Sequence, residues 1–212
     1  MTKRSVQGIR SENVLDEFDQ DWLEEELSQF NEFQRAAFSA SCAERMIKNY
    51  ERFYEETGWG NPDLLKKALS EVWKSLSLQE VDPEKIELLR NQVTDIAPDT
   101  EDFETIYVSC ALDATTAVNG ALDSLITQGA DGAVGTAIVS VDTVDMYVQE
   151  LLDLTPFDQE REKKIVEHPL MVRELQKITS DMELISKTPT LSKQFIDSLR
   201  MSSTGTSSLG FS

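Results

Sequence analysis

Glu44, Asp113 and Asp145 are the residues of this chain whose types and positions could do chemistry. On helical projection, at about 100° per residue, Glu44 falls inside the apolar stripe of Phe33, Ala37, Ala40 and Ile47. Asp145 falls inside that of Ile138, Val141, Val148 and Leu152, and Asp113 lies at the edge of the stripe holding Ile106 and Cys110. A carboxylate on an apolar face needs a cation, a metal or several hydrogen bonds, because an unpaired buried charge is strongly unfavourable. Arg45, at the border of its own helix's apolar surface, is the available cation.

The favoured reading is an internal polar cluster of Glu44, Arg45, Asp113 and Asp145, with Arg45 paired to Asp113 or Asp145 and fixing helix register. The competing reading is a divalent metal held by Glu44, Asp113 and Asp145, as in all-α nucleotide pyrophosphohydrolases, where magnesium bridges substrate phosphates. Glu84-x-x-Glu87 and Glu101-x-x-Glu104 have the spacing of such enzymes' acidic elements, but that spacing is frequent in any acidic helical chain, and cations to hold a triphosphate are missing nearby. The sequence therefore assigns no catalytic residue, no cofactor and no metal.

The remaining inventory is thin. The single histidine, His168, stands directly before a proline, where a surface or capping role fits better than catalysis, and it leaves the Glu-x-x-His pair of di-iron bundles unformed. G-x-S-x-G, P-loop and Rossmann glycine patterns do not occur. Cys42 and Cys110 sit inside apolar helical patterns, as small core residues do, rather than in a C-x-x-C or a disulfide framework.

The elements that must position these residues are helical. Period-two alternation bounded by turn residues is absent, so the spacing predicts an all-α, single-domain multi-helix bundle of about seven to nine helices with no substantial β-sheet. Residues 1–12 read as a flexible N-terminus, 13–201 as the helical domain and 202–212 as a disordered Ser/Gly tail. Helices are expected over about 13–29, 31–57, 62–77, from 82, to about 127 after Asp99 or Thr100, 131–154, 169–187 and from Pro189 to about Met201. The helices ending near 127 and spanning 131–154 are rich in Ala, Val, Thr and Gly and should be central, because small residues permit close helix contact.

Charge narrows the partner classes. The 212 residues carry a net charge of -19, which repels nucleic-acid phosphates and anionic membrane surfaces and favours basic partners. From Asn91 to Glu160, 70 residues hold 14 Asp or Glu and no Lys, Arg or His, and residues 11–30 carry eight carboxylates and no cation. Some of these acids have a local purpose, since Glu101, Asp102 and Glu104 would lie in a helix's first turn. Asp123, Asp131, Asp142, Glu150 and Asp153 are the candidate acidic binding surface. No apolar run approaches the roughly 18 residues of a membrane span, and the N-terminal sequence predicts neither a secretory signal nor an anchor. A reducing cytoplasm is the expected setting.

The run AFSASCAERMIKNYERFYEETGWGNPDLLKKALSEVWKSL, with APDTEDFETIYVSCALDATTAVNGALDSL and AIVSVDTVDMYV, resembles the YjaG-like family of bacterial proteins of unknown function. The resemblance spans roughly residues 31–185 and is most specific at Cys42-x-Glu44-Arg45-Met46, Asn49-Tyr50, Phe53, Thr57-Gly58-x-Gly60, Trp73, Asp102-Phe103 and Asp113-Ala114. It implies a compact all-helical fold and brings no activity, cofactor or site residue. Against that family the acidic N-terminal segment and the Ser/Gly tail read as additions.

The functional expectation is a non-enzymatic acidic helical binding protein that neutralises a basic protein partner, as an immunity protein neutralises a cognate toxin. The alternatives are a metal-dependent phosphohydrolase acting on a nucleotide or other small phosphorylated substrate, and a helical scaffold or homodimer that packs against a copy of itself. The binder requires exposed acids clustered on one face, and the enzyme requires carboxylates converging in a pocket.

Overall fold

Capping chemistry sets most of the helix boundaries in the computed structural model, which describes residues 20–205 and 207–211. In chain order the helices are α1 (Gln20–Ser28), α2 (Glu32–Thr57), α3 (Pro62–Leu78), α4 (Pro83–Asp95), α5 (Tyr107–Ile126), α6 (Asp131–Leu151), α7 (Arg161–Val166), α8 (Pro169–Ser186) and α9 (Lys193–Thr204). A single 3-10 turn, Thr100–Asp102, precedes α5. Nine α-helices and no strand are therefore present among the described residues, as the helical spacing predicts. The expected beginning of the first helix at residue 13, and the flexible 1–12 segment, lie outside the described residues.

Asn31 opens α2 with a capping box, its side chain accepting from Gln34 N–H while the Gln34 side chain accepts from Asn31 N–H. Gly58 closes the helix at φ 68°, the left-handed conformation that a residue without Cβ adopts at little cost. Asn61 and Asp82 cap α3 and α4, each followed by proline at the first helical position. His168 does the same for α8, its Nδ1 accepting from Leu170 N–H, which gives the lone histidine a structural role.

α6 ends three residues earlier than expected, at Leu151, and the short α7 is not among the helices that the spacing predicts; two further differences have a clear local cause. The helix after Asp99 starts only at Tyr107, because Asp99 caps the 3-10 turn instead. Phe103 is then extended and packs its ring edge-on against Phe53, 4.9 Å between centroids, and beside Trp59. The last helix starts at Lys193 rather than Pro189, because Ser192 supplies the cap through Phe195 N–H and Pro189 O is tied to Asn31 Nδ2.

The hub is α2. It packs most extensively on α5 and also against α3, α6, α8 and α9. The stretch Ala36–Ala43, AAFSASCA, is buried at every position. Small side chains let neighbours approach from all sides, and a helix apolar or small around its circumference belongs in the centre. The α5–α6 hairpin closes on the same principle. A Cβ at Gly120 would collide with Thr136 Oγ1 and stand 2.8 Å from Gly132 O, so the two helices touch backbone to backbone there.

The Ser/Gly-rich ending corrects the expectation of a disordered tail. α9 continues to Thr204, and residues 207–211 fold back onto the bundle. Ser208 N–H donates to Arg45 O at 2.9 Å, Arg173 Nη2 donates to the carbonyls of Ser207 and Ser208, and Leu209 is buried. Phe211 packs edge-on against Tyr107 and Tyr147. Composition suggested disorder, but these partners lie on distant elements that no local pattern reveals.

Candidate functional site

Glu44 and Arg45 are neighbours in sequence, and the helical twist sends them to different partners. Arg45, 1% exposed, reaches α8, where its Nε lies 3.1 Å from each Glu174 carboxylate oxygen and its Nη2 donates to Oε1. Nη1 donates to Ser41 O and Ser41 Oγ and lies 3.6 Å from Asp181 Oδ2. Asp181 in turn accepts from Lys177 Nζ and from Ser41 Oγ. Ser41 Oγ also lies 2.7 Å from Ser203 Oγ, whose hydroxyl reaches Leu199 O at 2.9 Å as well. Two cations and two carboxylates thus neutralise one another inside the bundle. Burial alone would disfavour the charged guanidinium, yet Glu174, with smaller help from Cys42 and Asp181, raises the Arg45 pKa above its ordinary value.

The expected cluster of Glu44, Arg45, Asp113 and Asp145 does not assemble. Glu44 faces α3 and α9, accepting from Trp73 Nε1 at 2.6 Å and Thr204 Oγ1 at 3.1 Å, with Arg200 Nε 3.6 Å away. Asp145 accepts from Gln149 one turn along α6. Asp113 stands on α5 beside Asp142 and Thr143. Glu44 accordingly lies in a different part of the fold from Asp113 and Asp145, and among the described residues no three His, Cys, Asp or Glu side chains gather as a metal site would require.

Projection missed Glu174 and Asp181, although the signal was present. Met171, Leu175, Ile178, Met182 and Ile185 form the buried stripe of α8, and both carboxylates fall within it. Arg45 could activate the Cys42 thiol, its Nη2 lying 3.6 Å from Sγ, but burial outweighs it. Burial pushes Cys42 up to about 11, opposed by Arg45, and Cys110 up to about 12, so both stay protonated and inert near neutral pH.

The candidate acidic surface separates by position. Asp123 is not free, because Arg90 Nε holds it at 2.6 Å. Asp131, Asp142, Glu150 and Asp153 are exposed along or just beyond α6, and Asp113 and Asp145 are half-buried beside them. Burial raises the Asp113 carboxyl to about 6, opposed by Thr143 and reinforced by Asp142. Burial, and after it Asp145, raises Asp142 as well. Asp142 thus feels Asp145, and Asp113 feels Asp142, along a hairpin with no Lys, Arg or His in residues 91–160.

These features define an all-helical bundle with a sealed ionic knot and an acidic hairpin, and among the described residues no helix is long and apolar enough to cross a membrane. Residues 23–212 match the family described as "Protein of unknown function (DUF416)", and the chain belongs to that family. It is similar to the uncharacterized protein YjaG of Escherichia coli K12, 25% identical over 150 residues that cover 70% of this chain and 74% of that one. The YjaG of Salmonella typhimurium LT2 is 23% identical over 121 residues, 57% of this chain and 61% of its own. The crystal structure of a DUF416 family protein from Shewanella baltica OS155 superposes with a TM-score of 0.78 at 27% identity, covering 89% of this chain and 97% of that one. The YjaG-like resemblance is therefore borne out. The family match runs beyond residue 185 through the C-terminus, so the Ser/Gly ending is part of the family unit and not an addition.

Proposed function

We propose that this protein is a non-catalytic acidic binder that captures a basic protein, in the manner of an immunity protein neutralising a cognate toxin in the cytoplasm. The observation that supports this reading is the α5–α6 hairpin, which exposes Asp131, Asp142, Glu150 and Asp153 with no cation of its own. Burial, with a smaller repulsion from neighbouring carboxylates, raises the proton affinity of Asp113 and Asp142. A cationic partner would offset the repulsive part on docking, and the field of a chain carrying -19 would speed its arrival.

The test is capture from the native host at low and then high salt. One basic protein should be retained at low ionic strength and released as salt rises. A combined Asp131→Asn, Asp142→Asn, Glu150→Gln, Asp153→Asn variant should fail to retain it. Magnesium-dependent nucleotide turnover without capture of a specific protein would sink the reading.

A further inference from the structure

The corner where α6 leaves the bundle carries the most exposed large apolar side chain among the described residues. Phe157 is 92% exposed, and Leu151 and Leu152 are 56% and 43% exposed. An aromatic ring in water is unfavourable unless something covers it, and exposed apolar residues rimmed by charge commonly mark interaction sites. The turn that presents Phe157 is fastened at both ends. Arg161 donates through Nε and Nη2 to Gln149 Oε1 at 3.2 and 2.6 Å, and Gln149 Nε2 donates to Asp145 Oδ1 at 2.6 Å. Lys164 closes the turn onto Asp158 at 3.2 Å. A ring displayed from a pinned turn sacrifices little conformational entropy on binding.

Charge identifies the occupant. Lys164 and Lys163 pair with Asp158 and Glu160 on the far side of the turn, so the carboxylates that flank Leu151 and Leu152 without an ion pair among the described residues are Glu150 and Asp153, both exposed. A second copy of a chain carrying -19 would bring like charges together at this corner. We propose that the Leu151–Phe157 corner is the anchor of a docking surface for a basic amphipathic segment of a partner protein. Phe157 and Leu151 receive its apolar side chains, and the carboxylates of Glu150 and Asp153 receive its lysines or arginines. This rests on the acidic-binder reading and adds to it an apolar hot spot at a defined place.

The experiment titrates the full chain with two synthetic probes: an amphipathic peptide of lysine and leucine at helical spacing, and an oligolysine of equal charge. Phe157→Ser should weaken the amphipathic peptide by about tenfold and leave oligolysine binding unchanged. The unfolding midpoint should stay that of the parent, because the replaced ring is already in water. Equal weakening of both probes, or of neither, would overturn the inference while leaving the acidic-binder reading intact. Failure of the parent protein to bind either probe would remove both. A dimer in sedimentation velocity that Phe157→Ser dissolves would also overturn the inference, because the occupant would then be a second copy.

Discussion

Arg45 and Glu174 lie 129 residues apart in the chain and meet side by side, with Nε and Nη2 of the guanidinium on one carboxylate and both side chains sealed from water. Removing one partner of such a pair leaves the other as an uncompensated buried charge, a loss of about 3–5 kcal/mol. Arg45→Met and Glu174→Leu should each lower the urea midpoint by a corresponding amount. The double variant should lose less than either single change, because Lys177 and Asp181 still neutralise each other. Additive losses would show that the pair is not energetically coupled. If partner binding survives in a destabilised Arg45→Met protein, the knot is structural; lost binding in a stable fold would reject that.

Asp113 sets a pH dependence of opposite sign to that of a paired carboxylate. Its folded-state pKa of about 6 lies above the ordinary 3.8, so the folded protein binds this proton more tightly than the unfolded chain does. The associated stability is fully present below pH 3.8 and is lost as pH rises through about 6. Asp113→Asn should therefore stabilise the protein by about 1–2 kcal/mol at neutral pH, after allowance for solvent screening of a half-buried group. The advantage should fade between pH 6 and 4, as urea midpoints measured across that range would reveal. A difference that stayed constant with pH would mean that Asp113 titrates normally.

The helical class and most boundaries were legible because they depend on local chemistry: Asn31, Asn61 and Asp82 cap, Pro62 and Pro83 begin, and Gly58 terminates. Projection also identified Arg45 and Glu44 as charges turned inward. It could not assign their partners, because a single helix's periodicity says which face is buried and not which neighbour covers it. Glu44 thus found Trp73 and Arg45 found Glu174, on helices that the sequence placed correctly but could not orient. The return of residues 207–211 was hidden for a related reason. Its serines have the composition of a linker, and their hydrogen-bond partners Arg45, Asn49 and Arg173 are supplied by the tertiary fold.

Gly120 tests the close approach of α5 and α6. Gly120→Ala places a methyl against Thr136 Oγ1 and Gly132 O. Better helix propensity should offset only about 1 kcal/mol of the resulting overpacking. The expected net effect is a destabilisation of about 1–2 kcal/mol in thermal or urea unfolding. Gly135→Ala, on the same hairpin with open space around its Cα, should instead be neutral or stabilising. A matching loss at both positions would mean that the hairpin does not depend on contact at Gly120.

The C-terminal segment should behave as part of the core. Leu209 is 4% exposed, and Leu209→Ala should cost about 2–3 kcal/mol by the usual transfer and cavity terms. Deleting residues 207–212 removes that side chain, the Phe211 packing on Tyr107 and Tyr147, and the donor to Arg45 O. The deletion should therefore destabilise the protein more than Leu209→Ala alone. It also bears on the knot, because Arg45 O and the Asn49 side chain both lose their partner Ser208 directly beside the buried guanidinium. A truncated protein with the parent's urea midpoint would mean that the segment only rests on the surface, whereas a parallel loss in both variants makes it the final strut against α2 and α8.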